Sequence, residues 1–332
     1  MSLIETAMSR QPLGCLLSNQ LEAVSTVFQQ HLASDHADVN NLCLHIERYR
    51  GKMLRPTLVL LSSLAATGSD SEADLDDRHR IMAAVVEMIH MATLVHDDIL
   101  DESEVRRGGA TVNSLHGNEM AVMLGDYLIS KAFHLCSTLG SPSINLALGE
   151  VTNILCEGEV IQLQRRNDLE MTEPVYLDVV GRKTGSLIGA SCRMGAVLGD
   201  GSDDVCTALE AFGYDMGIAF QITDDVLDLV GETEVTGKTV GRDLDLGKMT
   251  LPLIRLRAEL SEADRVRFDQ TVQNCDREGL QTLLDASGAL DSTLQAAHDL
   301  VNQAKGRLAV LPAGPALDLM LELADGVVTR HS

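Results

Sequence analysis

Two clusters of aspartates in this chain have the spacing of a metal site. They are His96-Asp97-Asp98-Ile99-Leu100-Asp101 and Asp224-Asp225-Val226-Leu227-Asp228. Residues four apart lie on one face of a helix, so the first and last carboxylate of each cluster should converge, with the second aspartate beside them. One cluster alone is typical of a solvated helix end. The second follows apolar residues on another long helix, and two copies together favour a function.

The chemistry of the two clusters favours Mg²⁺. If they face each other, six carboxylates crowd one cavity, and such like charges become protonated unless cations intervene. Hard oxygen ligands without His or Cys partners select Mg²⁺, with Mn²⁺ as an alternative, and Mg²⁺ completes its coordination with water and substrate phosphate. The expected metal ligands are Asp97, Asp98, Asp101, Asp224, Asp225 and Asp228.

Phosphate needs its own donors, and the chain has three compact basic groups. They are Gly51-Lys52-Met53-Leu54-Arg55-Pro56, Arg106-Arg107-Gly108-Gly109 and Lys183-Thr184. Lys52 and Arg55 are three residues apart at a predicted helix start, where both can reach one anion that also meets free backbone N–H groups. Arg106 and Arg107 follow the first acidic cluster within one loop. A surface ion pair explains any one group, but it does not explain all of them together.

Helical periodicity dominates the chain, and no run of alternating β-branched residues is long enough for a strand. The expected class is all-α, in one large helical domain over residues 1–332, with loops at 104–118 and 231–249 and no interdomain linker. The predicted helices cover about 16–34, 39–48, 53–67, 78–103, 117–139, 143–168, 174–198, 203–230, 250–259, 261–273, 276–285, 289–309 and 314–329.

The amino-acid composition excludes several classes of function for this chain. The chain has 332 residues, with 26 Lys plus Arg against 49 Asp plus Glu, and only 3% of its residues are aromatic. The net charge of −23 repels polyanions, and few rings are available to stack bases, so no nucleic acid partner is expected. Seven scattered cysteines indicate reduced thiols and a cytoplasmic location. No signal peptide is evident, and the longest apolar run, near residues 58–66, is too short for a transmembrane segment.

With these motifs the chain resembles the all-trans polyprenyl diphosphate synthases, most closely their medium- and long-chain members such as octaprenyl diphosphate synthase. The matching residues are Gly51-Lys52-x-x-Arg55-Pro56, Glu87-Met88-Ile89-His90, His96-Asp97-Asp98-x-x-Asp101-Glu102-Ser103, Arg106-Arg107-Gly108, Gly125-Asp126-Tyr127-Leu128, Glu157-Gly158-Glu159-x-x-Gln162, Lys183-Thr184, Gly217-x-Ala219-Phe220-Gln221-Ile222-x-Asp224-Asp225-x-x-Asp228, Gly237-Lys238 and Gly247-Lys248-x-Thr250-Leu251-Pro252. The resemblance covers about residues 40–255. One departure is Arg50-Gly51-Lys52, where the family usually has Gly-Gly-Lys.

The resemblance implies an isoprenoid-synthase-type helical bundle with a central cavity, and a homodimer. It also implies head-to-tail condensation: an allylic diphosphate ionises, isopentenyl diphosphate attacks it, and deprotonation gives a longer all-trans product. The aspartates would hold Mg²⁺ at the leaving diphosphate, which is also clamped by Arg106, Lys183 and Lys238. Isopentenyl diphosphate would be bound by Gly51, Lys52, Arg55, His90, Arg107 and Lys248. Thr184 and Gln221 would place oxygen dipoles near the cation, and released diphosphate can take the proton.

Product length is predicted from the helix before the first acidic cluster. Counting back from Asp97 gives Thr93, Ile89 and Val86 along the path of the growing tail. Some short-chain members of the family close this path with rings four or five residues before the cluster, where this chain has Thr93 and Ala92. We therefore expect a medium- or long-chain product. The opposing interpretation is that a ring on a neighbouring helix, Tyr127 or Phe133, closes the path.

Three other functions would share some or all of these motifs. A short-chain farnesyl or geranylgeranyl diphosphate synthase would share every motif. A class I terpene cyclase would share the fold and first cluster, but related cyclases carry an Asn/Ser/Glu second motif and do not need donors such as Lys52 and Arg55. A non-catalytic partner subunit of a true synthase typically loses the acidic motifs, and here both are intact.

Overall fold

The chain folds into helices joined by short turns, as its periodicity predicts. The computed structural model describes residues 13–46, 51–230 and 241–329. Its α-helices are α1 (Leu13–Leu32), α2 (Ala37–Ile46), α3 (Leu54–Thr67), α4 (Asp77–Leu100), α5 (Val112–His116), α6 (Asn118–Ser137), α7 (Pro142–Gln164), α8 (Glu173–Val180), α9 (Ser186–Leu198), α10 (Asp203–Val230), α11 (Arg242–Asp245), α12 (Leu251–Glu259), α13 (Glu262–Gln273), α14 (Arg277–Asp285), α15 (Ala289–Arg307) and α16 (Pro315–Thr329). The predicted all-α class is confirmed.

Helix α4 positions the first acidic cluster, and its ends are set by local chemistry. The Asp76 carboxylate accepts from the Arg78 backbone N–H, and His79 Nδ1 accepts from the Asp76 N–H, which together form a capping box. From Met82 to Ile89 every side chain is buried. The helix ends where Glu102 takes a positive φ of 49°, so the chain turns directly after the aspartates.

Three details differ from the prediction. The segment 104–118 is not simply a loop, because Val105–Arg106 (β1) pairs antiparallel with Gly109–Ala110 (β2) and α5 follows. The predicted helix 174–198 is interrupted by a π-helical turn at Gly181–Gly185 between α8 and α9. Inside the predicted loop 231–249, residues 241–249 include the short helix α11, whereas residues 231–240 lie outside the described residues.

Among the described residues, the first of two compact units comprises 13–46, 51–152, 187–213 and 307–323. Within it, α4 packs against α6, α1 and α3. Fully buried side chains form the core of this unit, including Leu17, Phe28, Leu58, Leu64, Met82, Met88 and Phe212. This packing surrounds α4 on several sides, which explains why its middle is mostly apolar, with Glu87 as a buried exception.

The second unit comprises, among the described residues, 153–186, 214–230, 241–306 and 324–329. Within it, α12 packs against α8 and α14, and α13 packs against α14. Its core includes Tyr176, Ile222, Leu251, Phe268 and Ala297. Tyr176 anchors to this core the helix α8, which leads into the turn with Lys183 and Thr184. Ile222 anchors α10, which carries Gln221 and the second acidic cluster.

No helix of the described residues combines the length and the hydropathy that a membrane-spanning segment requires.

Candidate active site

The first acidic cluster occupies the last turn of α4. Asp97 lies in that helix and is half-buried, while Asp101 caps its end and is also half-buried. Asp98 points elsewhere: its side chain is 2% exposed, and its Oδ1 accepts from Arg106 Nε at 2.9 Å and lies 2.8 Å from Arg106 Nη2. The three carboxylates are therefore not equivalent, because Asp98 joins the helix to the following hairpin.

The hairpin β1–β2 carries the two arginines that follow the cluster. Its base is held by Thr111, whose hydroxyl donates to the Ser103 carbonyl at 2.7 Å, and by Asn113, whose amide donates to the Asp98 carbonyl at 3.2 Å. At its tip Arg107 has a φ of 50° and Gly108 a φ of 75°, a tight turn in which the glycine has no Cβ to strain. The hairpin thereby places Arg106 against Asp98 of α4.

A cationic cluster forms around His90, one of the residues predicted to bind isopentenyl diphosphate. Burial holds the pKa of His90 well below its usual range, and the nearby charges of Arg55, Arg107 and Arg106 lower it further. Burial, partly opposed by the Glu87 carboxylate, lowers the pKa of Arg55 to about 10. His90 is thus neutral at pH 7, while Arg55 keeps its charge.

Four neighbouring groups determine the charge and the donors of this cationic cluster. Arg55 Nε is buried and has no hydrogen-bond partner, so a donor is available at the start of α3. Glu87 is 2% exposed and supplies one buried negative charge among the arginines. A Cβ at Gly51 would lie only 2.5 Å from Arg107 Nη2, so this glycine lets the backbone approach the guanidinium. Lys52 is exposed just before α3.

In the second unit, the π-helical turn carries Lys183 and Thr184. The Lys183 ammonium donates to Gln162 Oε1 at 2.5 Å and pairs with the Glu159 carboxylate. Both partners lie on α7. A π-turn is a rare insertion that is often found at functional sites, and here it presents two adjacent candidate residues.

Thr184 begins a chain of side-chain hydrogen bonds to the second acidic cluster. Its hydroxyl donates to Gln221 Oε1 at 3.1 Å, and Gln221 Nε2 donates to Asp225 Oδ1 at 2.8 Å. The Tyr176 hydroxyl donates to Asp225 Oδ2 at 2.7 Å. The π-turn approaches α10 closely, since a Cβ at Gly217 would lie 2.8 Å from the Gly185 Cα. Without that approach the hydrogen bond between Thr184 and Gln221 could not form.

The aspartates of the second cluster also differ from one another. Asp224 and Asp228 are half-buried, whereas Asp225 is 4% exposed. Burial is the main cause that raises the pKa of Asp225 to about 8, and the Asp243 charge acts in the same direction, whereas hydrogen bonds from Gln221 and Tyr176 oppose the shift. Desolvation thus outweighs the two donors.

Asp228 organises the segment that carries Lys248. Its Oδ2 accepts from the Asp243 backbone N–H at 3.0 Å, and its carbonyl accepts from the Gly241 N–H at 2.7 Å. Lys248 Nζ lies 3.5 Å from Asp243 Oδ1, and the Lys248 N–H donates to the Asp243 carbonyl at 2.9 Å. A predicted diphosphate donor is therefore tethered close to the second cluster.

The donor chemistry of both clusters fits Mg²⁺. Each cluster has a first and third aspartate that are half-buried, with hard oxygen ligands. Over residues 13–46, 51–230 and 241–329, no three His, Cys, Asp or Glu side chains are grouped as a ready-made metal cage. Mg²⁺ does not need one, because it binds through one or two carboxylates, water and substrate phosphates.

The structure thus assembles most of the predicted residues within the two units. Arg55, Arg106 and Arg107 gather with His90, and Thr184, Gln221 and Asp225 share one network. Lys238 lies outside the described residues. The site roles of all these residues stay predictions.

Three contacting residues were not assigned a role from the sequence. Tyr176 binds Asp225, Asp243 lies beside Lys248, and Glu159 pairs with Lys183. Glu159 belongs to a matched motif and could have been found there. Tyr176 carries no local signal, because its partner is 49 residues away and only folding brings the two together. Asp243 is only 5 residues from Lys248, but it belongs to none of the matched motifs.

Comparison with known proteins gives the family. The polyprenyl synthetase family model matches residues 36–286. Octaprenyl diphosphate synthase of Escherichia coli is 34% identical over 327 residues, which cover 97% of this chain and 99% of that protein. A short chain isoprenyl diphosphate synthase of Methanothermobacter thermautotrophicus is 37% identical over 295 residues, covering 86% of this chain and 89% of the relative.

A solved structure has the same fold. It is a polyprenyl synthase from Caulobacter crescentus complexed with calcium and isoprenyl diphosphate, and it superposes with a TM-score of 0.89 at 34% identity over 96% of this chain and 97% of that one. The isoprenoid-synthase fold and the prenyltransferase class predicted from the sequence are confirmed. The chain is therefore a member of the polyprenyl synthetase family.

Proposed function

We propose that this protein condenses isopentenyl diphosphate head-to-tail with an allylic diphosphate and releases a longer all-trans polyprenyl diphosphate. The observation that carries this proposal is the gathering of Arg55, Arg106 and Arg107 around His90 beside the first acidic cluster. A terpene cyclase does not need this second diphosphate site. A non-catalytic subunit does not need both acidic clusters.

The residues divide the chemical work. The allylic C–O bond breaks, the double bond of isopentenyl diphosphate attacks the resulting cation, and a proton leaves to the released diphosphate. Asp97, Asp101, Asp224 and Asp228 would hold Mg²⁺, which supplies charge neutralisation at the leaving diphosphate. Mn²⁺ is the expected substitute. Lys183 would clamp the same diphosphate together with Arg106 and Lys238, and Lys248 is proposed to assist in binding isopentenyl diphosphate.

The product is proposed to be medium or long chain, beyond geranylgeranyl. Thr93 is half-buried and Ala92 is fully buried on α4, and neither side chain carries a ring. The octaprenyl diphosphate synthase relative agrees with this proposal, whereas the short chain relative makes the shorter product the outcome to test against.

The direct experiment is an elongation assay. Purified protein is incubated with Mg²⁺, labelled isopentenyl diphosphate and allylic primers of increasing length, and dephosphorylated products are separated by reversed-phase chromatography. A ladder of linear alcohols supports the proposal. Cyclic hydrocarbons or no incorporation would replace it with a cyclase or a partner subunit, and the longest alcohol reports the chain length.

Three further expectations stay predictions. They are a homodimer, a cytoplasmic location and one catalytic domain over residues 1–332. Exposed apolar side chains on α6, namely Met120, Val122 and Met123, support an interface with a second copy. Light scattering on the purified protein tests the first, by whether Met123→Glu converts a dimer to a monomer.

A further inference from the structure

The second acidic cluster is tied to the core of its unit by Tyr176. This tyrosine lies on α8, is 4% exposed and packs in the same buried cluster as Ile222 and Leu251. Its hydroxyl donates to Asp225 Oδ2 at 2.7 Å. Because the ring is enclosed by core side chains, the hydroxyl is fixed in position and the hydrogen bond needs little further ordering.

Both carboxylate oxygens of Asp225 are engaged inside the protein. Oδ2 accepts from Tyr176, and Oδ1 accepts from Gln221 Nε2 at 2.8 Å. Asp225 is also the buried member of the cluster, whereas Asp224 and Asp228 are half-buried. A carboxylate that satisfies two internal donors is suited to hold side chains in place.

In this network, the direction of each hydrogen bond determines the direction of the next one. Asp225 Oδ1 accepts from Gln221 Nε2, so the NH₂ end of the Gln221 amide faces Asp225. The oxygen end then faces Thr184, whose hydroxyl donates to it at 3.1 Å. The single hydroxyl proton of Thr184 is thereby used, and the oxygen lone pairs of Thr184 remain available as acceptors.

We propose that Tyr176 is a positioning residue, which acts with Asp225 to fix the amide of Gln221 so that Thr184 presents an accepting oxygen to the positive charge on the allylic substrate. This inference rests on the proposed condensation. It also reassigns Asp225, which the sequence predicted as a metal ligand, to orienting Gln221. Metal would then be held in this cluster by Asp224 and Asp228.

The first test is Tyr176→Phe, which removes one hydroxyl and keeps the ring. We expect kcat to fall about 10-fold to 100-fold, as loss of a hydrogen bond to a charged group predicts, while the KM for isopentenyl diphosphate stays within about 2-fold. The matched control is Thr293→Val, which also removes a buried hydroxyl from this unit, one that donates to the Ala289 carbonyl at 2.7 Å. The control should lower the melting temperature comparably and leave kcat unchanged.

The second test separates positioning from metal binding. Asp225→Asn keeps an accepting oxygen for Gln221, and its NH₂ group can donate to the Tyr176 oxygen, so the network survives with one bond reversed. We expect this variant to keep the wild-type Mg²⁺ concentration for half-maximal activity. Asp224→Asn should raise that concentration by about 10-fold or more, as loss of a charged ligand predicts.

The outcomes distinguish this inference from the proposed function. If the wild-type protein elongates no primer, the condensation and this inference both fail. If the wild-type protein elongates normally but Tyr176→Phe has a wild-type kcat, only the positioning role is overturned. An Asp225→Asn variant that needs as much additional Mg²⁺ as Asp224→Asn would show that Asp225 is a ligand.

Discussion

Arg106 contacts Asp98 through two guanidinium nitrogens that both meet one carboxylate oxygen, Oδ1, at 2.9 Å for Nε and 2.8 Å for Nη2. Asp98 is 2% exposed, so this charge is removed from water and is stabilised by the hairpin arginine. The contact joins the end of α4 to β1. The same arginine lies close enough to His90 to lower its pKa, and it therefore links the acidic cluster to the cationic cluster within the first unit.

Removing this contact should destabilise the protein measurably. We expect Arg106→Met to lower the free energy of unfolding by roughly 1.5 to 3 kcal/mol, because a buried carboxylate loses a charged donor. The control is Arg78→Met, which removes an exposed pair with Asp76 in the same unit and should cost about 0.2 to 1 kcal/mol. Urea titrations followed by circular dichroism measure both, and equal losses would contradict a structural role for the contact.

Catalysis should depend on divalent metal, with ligands in each of the two acidic clusters. Asp97→Ala and Asp224→Ala should lower kcat far more than they weaken isopentenyl diphosphate binding, because the charge that the metal neutralises develops mainly in the transition state. Asp204→Ala, at an exposed position in the first turn of α10, is the control and should have normal turnover. Near-normal kcat in either cluster variant, or activity in excess EDTA, would refute the metal assignment.

The two diphosphates should be bound by different basic residues. Arg55→Ala should raise the KM for isopentenyl diphosphate and Lys183→Ala the KM for the allylic primer, each by about 10-fold to 100-fold, as loss of one charge-assisted contact predicts. Lys305→Ala, which removes an exposed pair with Asp325, should change neither KM. Steady-state kinetics with each substrate varied separately decides the matter. If Arg55→Ala changed only the KM for the allylic primer, the proposed assignment of Arg55 to isopentenyl diphosphate would be wrong.

Product length should respond to Thr93. This half-buried residue donates its hydroxyl to the His90 carbonyl at 2.8 Å, and Ile89 and Val86 are buried in the preceding turns of α4. A ring at position 93 should shorten the product of Thr93→Phe and largely spare the first condensation. Thr93→Val keeps the shape without the ring, so its product should match wild type. An unaltered product from Thr93→Phe would favour closure by Tyr127 or Phe133.

Acid should destabilise the first unit through His90. Its folded-state pKa lies well below the usual value of 6.5, so below about pH 6.5 the unfolded chain binds a proton that the folded chain does not. The resulting loss of unfolding free energy approaches about 1.4 kcal/mol per pH unit until the folded pKa is reached, and it is absent above about pH 7.5. His90→Gln removes this component. Urea titrations from pH 7.5 to 5.5 should therefore show a shallower decline in the variant, and parallel declines would contradict the shift.

The sequence by itself determined the helical class and most helix bounds. Periodic apolar residues, prolines in first helical turns and the glycine stop at Gly68 are local signals, and α10 spans the predicted 203–230 without change. The acidic and basic candidates were also identifiable in advance, because the i, i+4 spacing of Asp97 and Asp101 is a property of any helix.

Only the tertiary structure decided what each candidate contacts. Asp98 and Asp225 look equivalent to their neighbours in the sequence, yet both are buried and held by partners from other segments. The π-turn at Lys183 breaks a segment whose composition predicts continuous helix. Such choices depend on long-range packing and desolvation, since a carboxylate becomes an anchor only where distant donors such as the Tyr176 hydroxyl have been carried into a water-free core.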